Sequence, residues 1–173
     1  MTERGTVQLY TGDGKGKTTA SLGAAMRAAG HGRRVLMIQF MKGRLYGELA
    51  ASKEMKGFTI EQYGRDEFVD PKHPDPVDVE LAAKGWARAL EAVGDEKLDL
   101  LILDEINVAV SFGLIELENV VRFVERRPPR LELILTGRYA PRELIEIADT
   151  VTEMREVKHH YQKGVKARKG IEY

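Results

Sequence analysis

The residues best suited by type and spacing to do chemistry are Thr11-Gly12-Asp13-Gly14-Lys15-Gly16-Lys17-Thr18-Thr19, directly after the strand-like run 6–10. Glycines at alternate positions let backbone N–H groups converge on an anion with no Cβ in the way. A helix after such a turn aims its unpaired N–H groups and partial positive charge at the same point. Lys17 adds a full charge, and the Thr18 hydroxyl can reach a Mg2+ ion. This is a cradle for a nucleoside triphosphate. Its spacing departs from the usual pattern, which wants a glycine where this chain has Thr11; counted from Gly12, the loop is one residue short.

A second set is Leu98-Asp99-Leu100-Leu101-Ile102-Leu103-Asp104-Glu105. An apolar strand ending in two acids puts carboxylates at the carboxyl edge of a sheet, where open α/β folds bind ligands. Mg2+ takes hard oxygen ligands, so Thr18 with Asp104 or Glu105 and phosphate oxygens makes a suitable set. An acid in that position can equally cap the next helix; the neighbouring glycine loop favours the metal. A third site is Thr136-Gly137-Arg138, also just past an apolar run, where Arg138 either holds a phosphate or carboxylate in two-pronged fashion or is a plain surface residue. His31, His73, His159 and His160 show no metal-ligand spacing and read as solvated or hydrogen-bonding side chains; on a strand the adjacent pair would point in opposite directions. No Ser/His/Asp or Cys/His nucleophile set is evident. The chain therefore binds, orients and stabilises charge, with little proton transfer of its own.

These residues need a sheet to bring them together. Strand-like and helix-like segments alternate, which predicts an α/β fold of P-loop type, a mostly parallel central sheet flanked by helices. Strands are expected at 6–10, 35–40, 58–63, 98–103, 131–136 and 150–154. Helices are expected from Lys17 to about Ala29, weakly from Gly47, from Val79 to about Val93, and over 117–125 and 142–148. The stretch from Asp66 to Val77, with Pro71, Pro74 and Pro76, reads as a loop. At 173 residues, with no repeat or linker, the chain reads as one domain over 1–173.

Composition bounds the remainder. Lys+Arg and Asp+Glu are both 27, so net charge gives no pointer to nucleic acid or membrane, although the end is locally basic at Lys158, Lys163, Lys166, Arg168 and Lys169. No apolar run approaches the roughly 20 residues that span a bilayer, and the amino terminus lacks a signal-peptide core; the expected location is cytoplasmic. With no cysteine there is no disulfide or thiolate metal site, and any redox step must come from outside the polypeptide or from a bound cofactor.

In order along the chain, Tyr10–Ala20, Arg27–Gly32, Gln39–Gly43, Leu103–Glu105, Thr136–Arg138, Ala148–Arg155 and the tail segments Val157–His159, Gly164–Ala167 and Gly170–Tyr173 resemble the P-loop ATP:corrinoid adenosyltransferases, the cob(I)alamin adenosyltransferases. The glycine loop alone is common, but the combined pattern spans nearly the whole chain. The resemblance implies transfer of the 5′-deoxyadenosyl group of ATP to the cobalt of a reduced corrinoid, with release of triphosphate. It implies that Gly12, Asp13, Gly14, Lys15, Gly16, Lys17, Thr18 and Thr19 hold the triphosphate, that Thr18 and Glu105 bind Mg2+, and that Asp104 joins the metal shell. It further implies ATP bound in the reverse sense to other P-loop enzymes, terminal phosphates deep in the loop, as well as a homodimer and an external reductase. The shortened loop offers a structural cause for that reversal.

Two departures from the family stand out. Longer members carry an amino-terminal segment that helps to cover the site, whereas here the first strand begins almost at once. Some members have Phe-Thr-Trp where this chain has Phe68-Val69-Asp70, so Phe68 matches and the tryptophan does not. Removal of the lower cobalt ligand, assigned in the family to those aromatics, then falls to Phe68 alone or to another residue, or the substrate is an incomplete corrinoid; Phe68 can also be ordinary packing beneath the proline-rich loop. The rival activity is phosphoryl transfer by an ATPase or small-molecule kinase. A nucleotide-binding regulatory module is a third reading, opposed by the presence of both Asp104 and Glu105.

Overall fold

The computed structural model describes residues 4–173; residues 1–3 of the expected domain lie outside the described residues. Six strands and six helices follow in the order β1 (Val7–Thr11), α1 (Lys17–Gly30), β2 (Val35–Phe40), α2 (Gly47–Lys53), β3 (Phe58–Tyr63), α3 (Pro76–Ala92), β4 (Leu100–Asp104), α4 (Ile106–Ser111), α5 (Leu117–Arg126), β5 (Glu132–Thr136), α6 (Arg142–Ile147) and β6 (Thr150–Glu153), with a short 3-10 turn at His160–Lys163. The strands form one sheet in the order β3-β2-β4-β5-β1-β6. Every pairing in it is parallel, so the expectation of a mostly parallel sheet is met in full.

A parallel sheet covered on both faces needs strands that are apolar on both sides. β2 and β4 meet that need: each of their residues is buried. On one face Ala25 and Ala29 of α1 lie against Met37, Leu100, Ile102 and Ile134. The other face carries Leu36, Ile38, Leu101 and Leu103 under α3, α5 and α6, with Trp86 and Phe123 rings 5.2 Å apart beyond them. Small residues on α1 let its axis approach the sheet closely, which brings its first turn up against the strand ends.

Two local differences from the sequence reading have physical causes. Helix α3 begins at Pro76, inside the stretch expected to be loop. Proline is suited to a first helical position because it lacks only an N–H that would be unpaired there, and the Asp75 N–H donates to the Asp78 carboxylate at 3.3 Å to close the turn. Helix α4 was not expected. Four of its six residues are buried, so it shows no amphipathic period to read. Among the described residues no helix is long and apolar enough to cross a membrane.

Candidate active site

Because all strands run in one direction, their carboxyl ends share one edge, and strand order decides which of those ends meet. β5 lies between β1 and β4, while β2 lies on the far side of β4. The glycine loop after β1 and the acids after β4 therefore face each other across the end of β5, and the residues after β2 close in from the other side. The cavity at this edge has a volume of about 820 Å³. The loop, Glu105, Arg138, Phe68 and the tail residues Gly170–Tyr173 all border it. The size suits a nucleotide-scale ligand.

The loop is shaped by its approach to β6. Gly12 has φ +91°, and a Cβ there would come within 2.5 Å of the Met154 carbonyl oxygen. A Cβ on Gly14 would meet the same oxygen at 2.7 Å. The Gly14 N–H donates to that carbonyl at 2.6 Å, so one of the amides expected to face phosphate is directed to the residue just after β6 instead. Gly16, at φ +121°, turns the chain into α1. Lys17 is buried, and its ammonium donates to the carbonyls of Gly12 at 2.6 Å and Gly14 at 2.8 Å, spanning the loop. Burial lowers the Lys17 pKa; the carboxylates of Glu105, Asp13 and Asp104 counter that shift in part.

Asp104 is the centre of the site. Its fully buried carboxylate accepts from the Thr18 hydroxyl at 3.0 Å, the Thr136 hydroxyl at 2.7 Å, the Lys42 ammonium at 2.6 Å and the Gln39 amide at 3.2 Å. The Thr136 hydroxyl also accepts from the Glu105 N–H at 3.0 Å, which fixes the two acids against each other. Glu105 has a left-handed backbone, φ 63°, the kind of strain that surrounding structure must hold in place. Burial, and then the adjacent Asp104 charge, raise the Glu105 pKa, with Lys42, Lys17 and Arg138 pulling it down in part.

A Mg2+ ion fits this donor set. Octahedral Mg2+ with bonds of about 2.1 Å places neighbouring ligand oxygens roughly 3.0 Å apart, which is the Thr18 Oγ1–Asp104 Oδ1 separation. Of the two acids, Asp104 is the one brought to Thr18, although the resemblance put Glu105 first; Glu105 borders the cavity beside it.

Arg138 reaches the loop, its half-exposed guanidinium donating to the Asp13 carbonyl at 3.2 Å. Lys15 points the other way, to Glu172 of the tail at 3.1 Å. Glu172 also pairs with Arg168, and that contact first, with Lys15 adding to it, holds its carboxyl at about 2. Thr19 borders the cavity from the first turn of α1. Phe68 is 96% exposed at the mouth, which rules out ordinary packing beneath the proline-rich loop. The two adjacent histidines do not lie on a strand: His159 is extended, His160 opens the 3-10 turn, and their rings stack at 4.5 Å. His159 accepts the Tyr161 N–H at 3.1 Å, a hydrogen-bonding role as expected.

Sequence reasoning assigned no role to Lys42, Gln39 or Thr136. A lysine two residues past a buried strand, on the edge that carries the acids, is the signal that could have found Lys42.

Residues 3–173 match the family described as ATP:corrinoid adenosyltransferase BtuR/CobO/CobP. The corrinoid adenosyltransferase of Escherichia coli is 38% identical over 171 residues, which cover 99% of this chain and 87% of that protein. The corrinoid adenosyltransferase CobA of Salmonella typhimurium is 37% identical over 180 residues, covering 99% of this chain and 87% of its own length. The corrinoid adenosyltransferase of a Sinorhizobium species is 38% identical over 174 residues, with coverage of 99% and 81%. With matches of that extent running through the glycine loop, the acids after β4 and the tail, the chain belongs to the ATP:corrinoid adenosyltransferase family.

Proposed function

We propose that this protein transfers the 5′-deoxyadenosyl group of ATP to the cobalt of a reduced corrinoid and releases triphosphate, in the making or salvage of adenosylcobalamin. The observation that carries the reading, beyond family membership, is the shortened loop opening onto a cavity with Phe68, Phe112 and Tyr139 on its walls. Phosphates need the lysines and amides of the loop; a corrin ring needs the wide, partly aromatic mouth.

The electron pair of Co(I) attacks the ribose 5′-carbon, the Co–C bond forms, and the C5′–O bond breaks with its electron pair leaving on the triphosphate. Co(I) carries no proton, so no general base is required. The work left to the protein is to hold the ends in line and stabilise charge on the departing oxygens. Lys17 and Lys15, with Arg138 at the rim, supply that charge. Lys17 reaches phosphate by leaving the Gly12 and Gly14 carbonyls, and Lys15 by leaving Glu172. Thr18, Asp104 and Glu105 would hold Mg2+, which supplies further positive charge to the phosphate oxygens. Lying deep in the loop, the terminal phosphates leave the adenosyl end directed at the mouth.

The same proposal treats residues 1–173 as one catalytic domain, cytoplasmic, and active as a homodimer. An external reductase supplies the electron that makes Co(I), since the chain has no cysteine of its own to carry redox chemistry. Product analysis tests the activity. Reduced corrinoid and Mg·ATP should yield triphosphate and a light-sensitive cobalt–carbon bond in equal amounts. ADP or orthophosphate formed without corrinoid would overturn the reading in favour of phosphoryl transfer.

A further inference from the structure

The ammonium of Lys42 lies 2.6 Å from Asp104 Oδ2 and 3.1 Å from Thr18 Oγ1, so it shares the threonine oxygen, and the carboxylate though not its Oδ1, with the position proposed for Mg2+. The backbone is built to keep it there. Met41 sits in the left-handed region, φ 55°, which a side chain with a Cβ rarely adopts. Its N–H is held by the Tyr63 carbonyl at 3.0 Å. Gly64 packs directly on the backbone of Met41 and Lys42, where no Cβ would fit. The Lys42 side chain is only 17% exposed, and the Tyr46 ring lies under its ammonium at 5.8 Å. The 2.6 Å contact with the Asp104 carboxylate makes an ion pair of Lys42 and Asp104; burial opposes the lysine's charge, and Asp104, with Glu105 and Glu48, outweighs that.

A buried carboxylate without a cation is costly. An ammonium already hydrogen-bonded to Thr18 Oγ1 and to the Asp104 carboxylate would lie a few ångströms from a metal ion on Thr18 Oγ1 and Asp104 Oδ1, and two cations that close repel each other. We propose that Lys42 is the resident counter-cation of the Thr18–Asp104 pair and is exchanged for Mg2+ when nucleotide enters. The inference rests on the reading of Thr18 and Asp104 as metal holders. Free Mg2+ arriving alone would have to displace the ammonium from the carboxylate it is hydrogen-bonded to, with Glu105 and Glu48 left to balance it in part. Mg2+ arriving with a triphosphate brings the negative charge that receives the displaced ammonium, since Lys42 borders the same cavity. The protein thus takes its metal as the nucleotide complex, and Lys42 becomes a third lysine facing the leaving group.

The test is Mn2+ binding to the full chain without nucleotide, read by electron paramagnetic resonance. Wild type should bind Mn2+ weakly. Lys42→Gln should bind it about ten- to a hundredfold more tightly, the scale of one charge-assisted hydrogen bond, and adding Asp104→Asn should abolish the gain. A merely structural lysine would not tighten metal binding when removed. Should Lys42→Gln fold poorly, selective 15N NMR of wild-type lysine ammonium groups gives the same answer: the Lys42 signal should be unmoved by Mg2+ alone and shifted by Mg·ATP. Unchanged Mn2+ affinity in Lys42→Gln, or a Lys42 signal indifferent to Mg·ATP, overturns the exchange while leaving the metal site intact. Mn·ATP binding unaffected by Thr18→Ala and Asp104→Asn would remove the metal site itself, and the exchange with it.

Discussion

Thr18 Oγ1 lies 3.0 Å from Asp104 Oδ1, across 86 residues of sequence. Removing either group should weaken metal binding, and loss of the buried Asp104 charge should lower stability as well, since it leaves the Lys42 ammonium without its partner. Thr18→Ala is expected to raise the Mg2+ concentration for half-maximal activity about tenfold, and Asp104→Asn to lower metal affinity in the nucleotide complex about 10- to 100-fold. Activity measured across a Mg2+ series checks both; a Mg2+ dependence like wild type in Thr18→Ala would remove its hydroxyl from the site.

Gly12→Ala places a Cβ against the Met154 carbonyl at φ +91°. Strain of that kind costs on the order of 1–3 kcal/mol, and here it falls on the nucleotide loop. The expected result is a lower melting temperature with ATP affinity reduced by about tenfold or more. Gly23→Ala in α1, where a Cβ meets nothing within 4 Å, should instead be neutral or stabilising by up to about 1 kcal/mol. Thermal melts and ATP titration of the pair separate local strain from a general intolerance of side chains.

Phe68→Ala removes a ring that is 96% exposed. Stability should change by no more than about 0.5 kcal/mol, and ATP binding should be unaltered. The KM for corrinoid should rise severalfold, or the rate from Co(II) corrinoid should fall while that from chemically prepared Co(I) stays. Kinetics with both cobalt states distinguish these, and no change in either would dismiss Phe68 from corrinoid handling.

Arg65 donates to both oxygens of Asp78, at 2.8 and 2.9 Å, and to Asp75, clasping the two ends of the loop that carries Phe68. Arg65→Met should destabilise the fold near neutral pH, because it removes charged hydrogen bonds to the buried Asp78 carboxylate. The bond to Arg65 holds the Asp78 carboxyl below its usual range despite the opposing effect of burial. Native Asp78 then binds fewer protons than unfolded Asp78, so this contribution is complete above the ordinary aspartate pKa and declines as pH falls through and below it. Urea unfolding of both proteins from pH 7 downward should show their difference constant at first and shrinking below about pH 4; a difference that persists at low pH would contradict the pairing.

The loop and the acid pair were legible in sequence because each is a run of adjacent residues whose chemistry follows from order alone. The strands were legible for a similar reason, since continuous apolar runs such as Val35–Phe40 mark strands buried on both faces. What tied the site together was not local. Thr136 reaches Asp104 because β5 lies between β1 and β4, and Lys42 and Gln39 reach it because β2 flanks β4 on the other side. Strand order is a property of the whole sheet, and no short window carries it. The stacked histidines show the same limit: a pair judged by strand geometry belongs to a turn.

The central claim is that the bond broken lies between the ribose 5′-carbon and oxygen. ATP carrying 18O at the 5′ bridging position, turned over with reduced corrinoid and analysed by mass spectrometry, tests it directly. The account predicts that all of the label leaves on the triphosphate and none stays with the adenosyl group. Label retained on a nucleoside or nucleotide product would mean attack at phosphorus, and would contradict it.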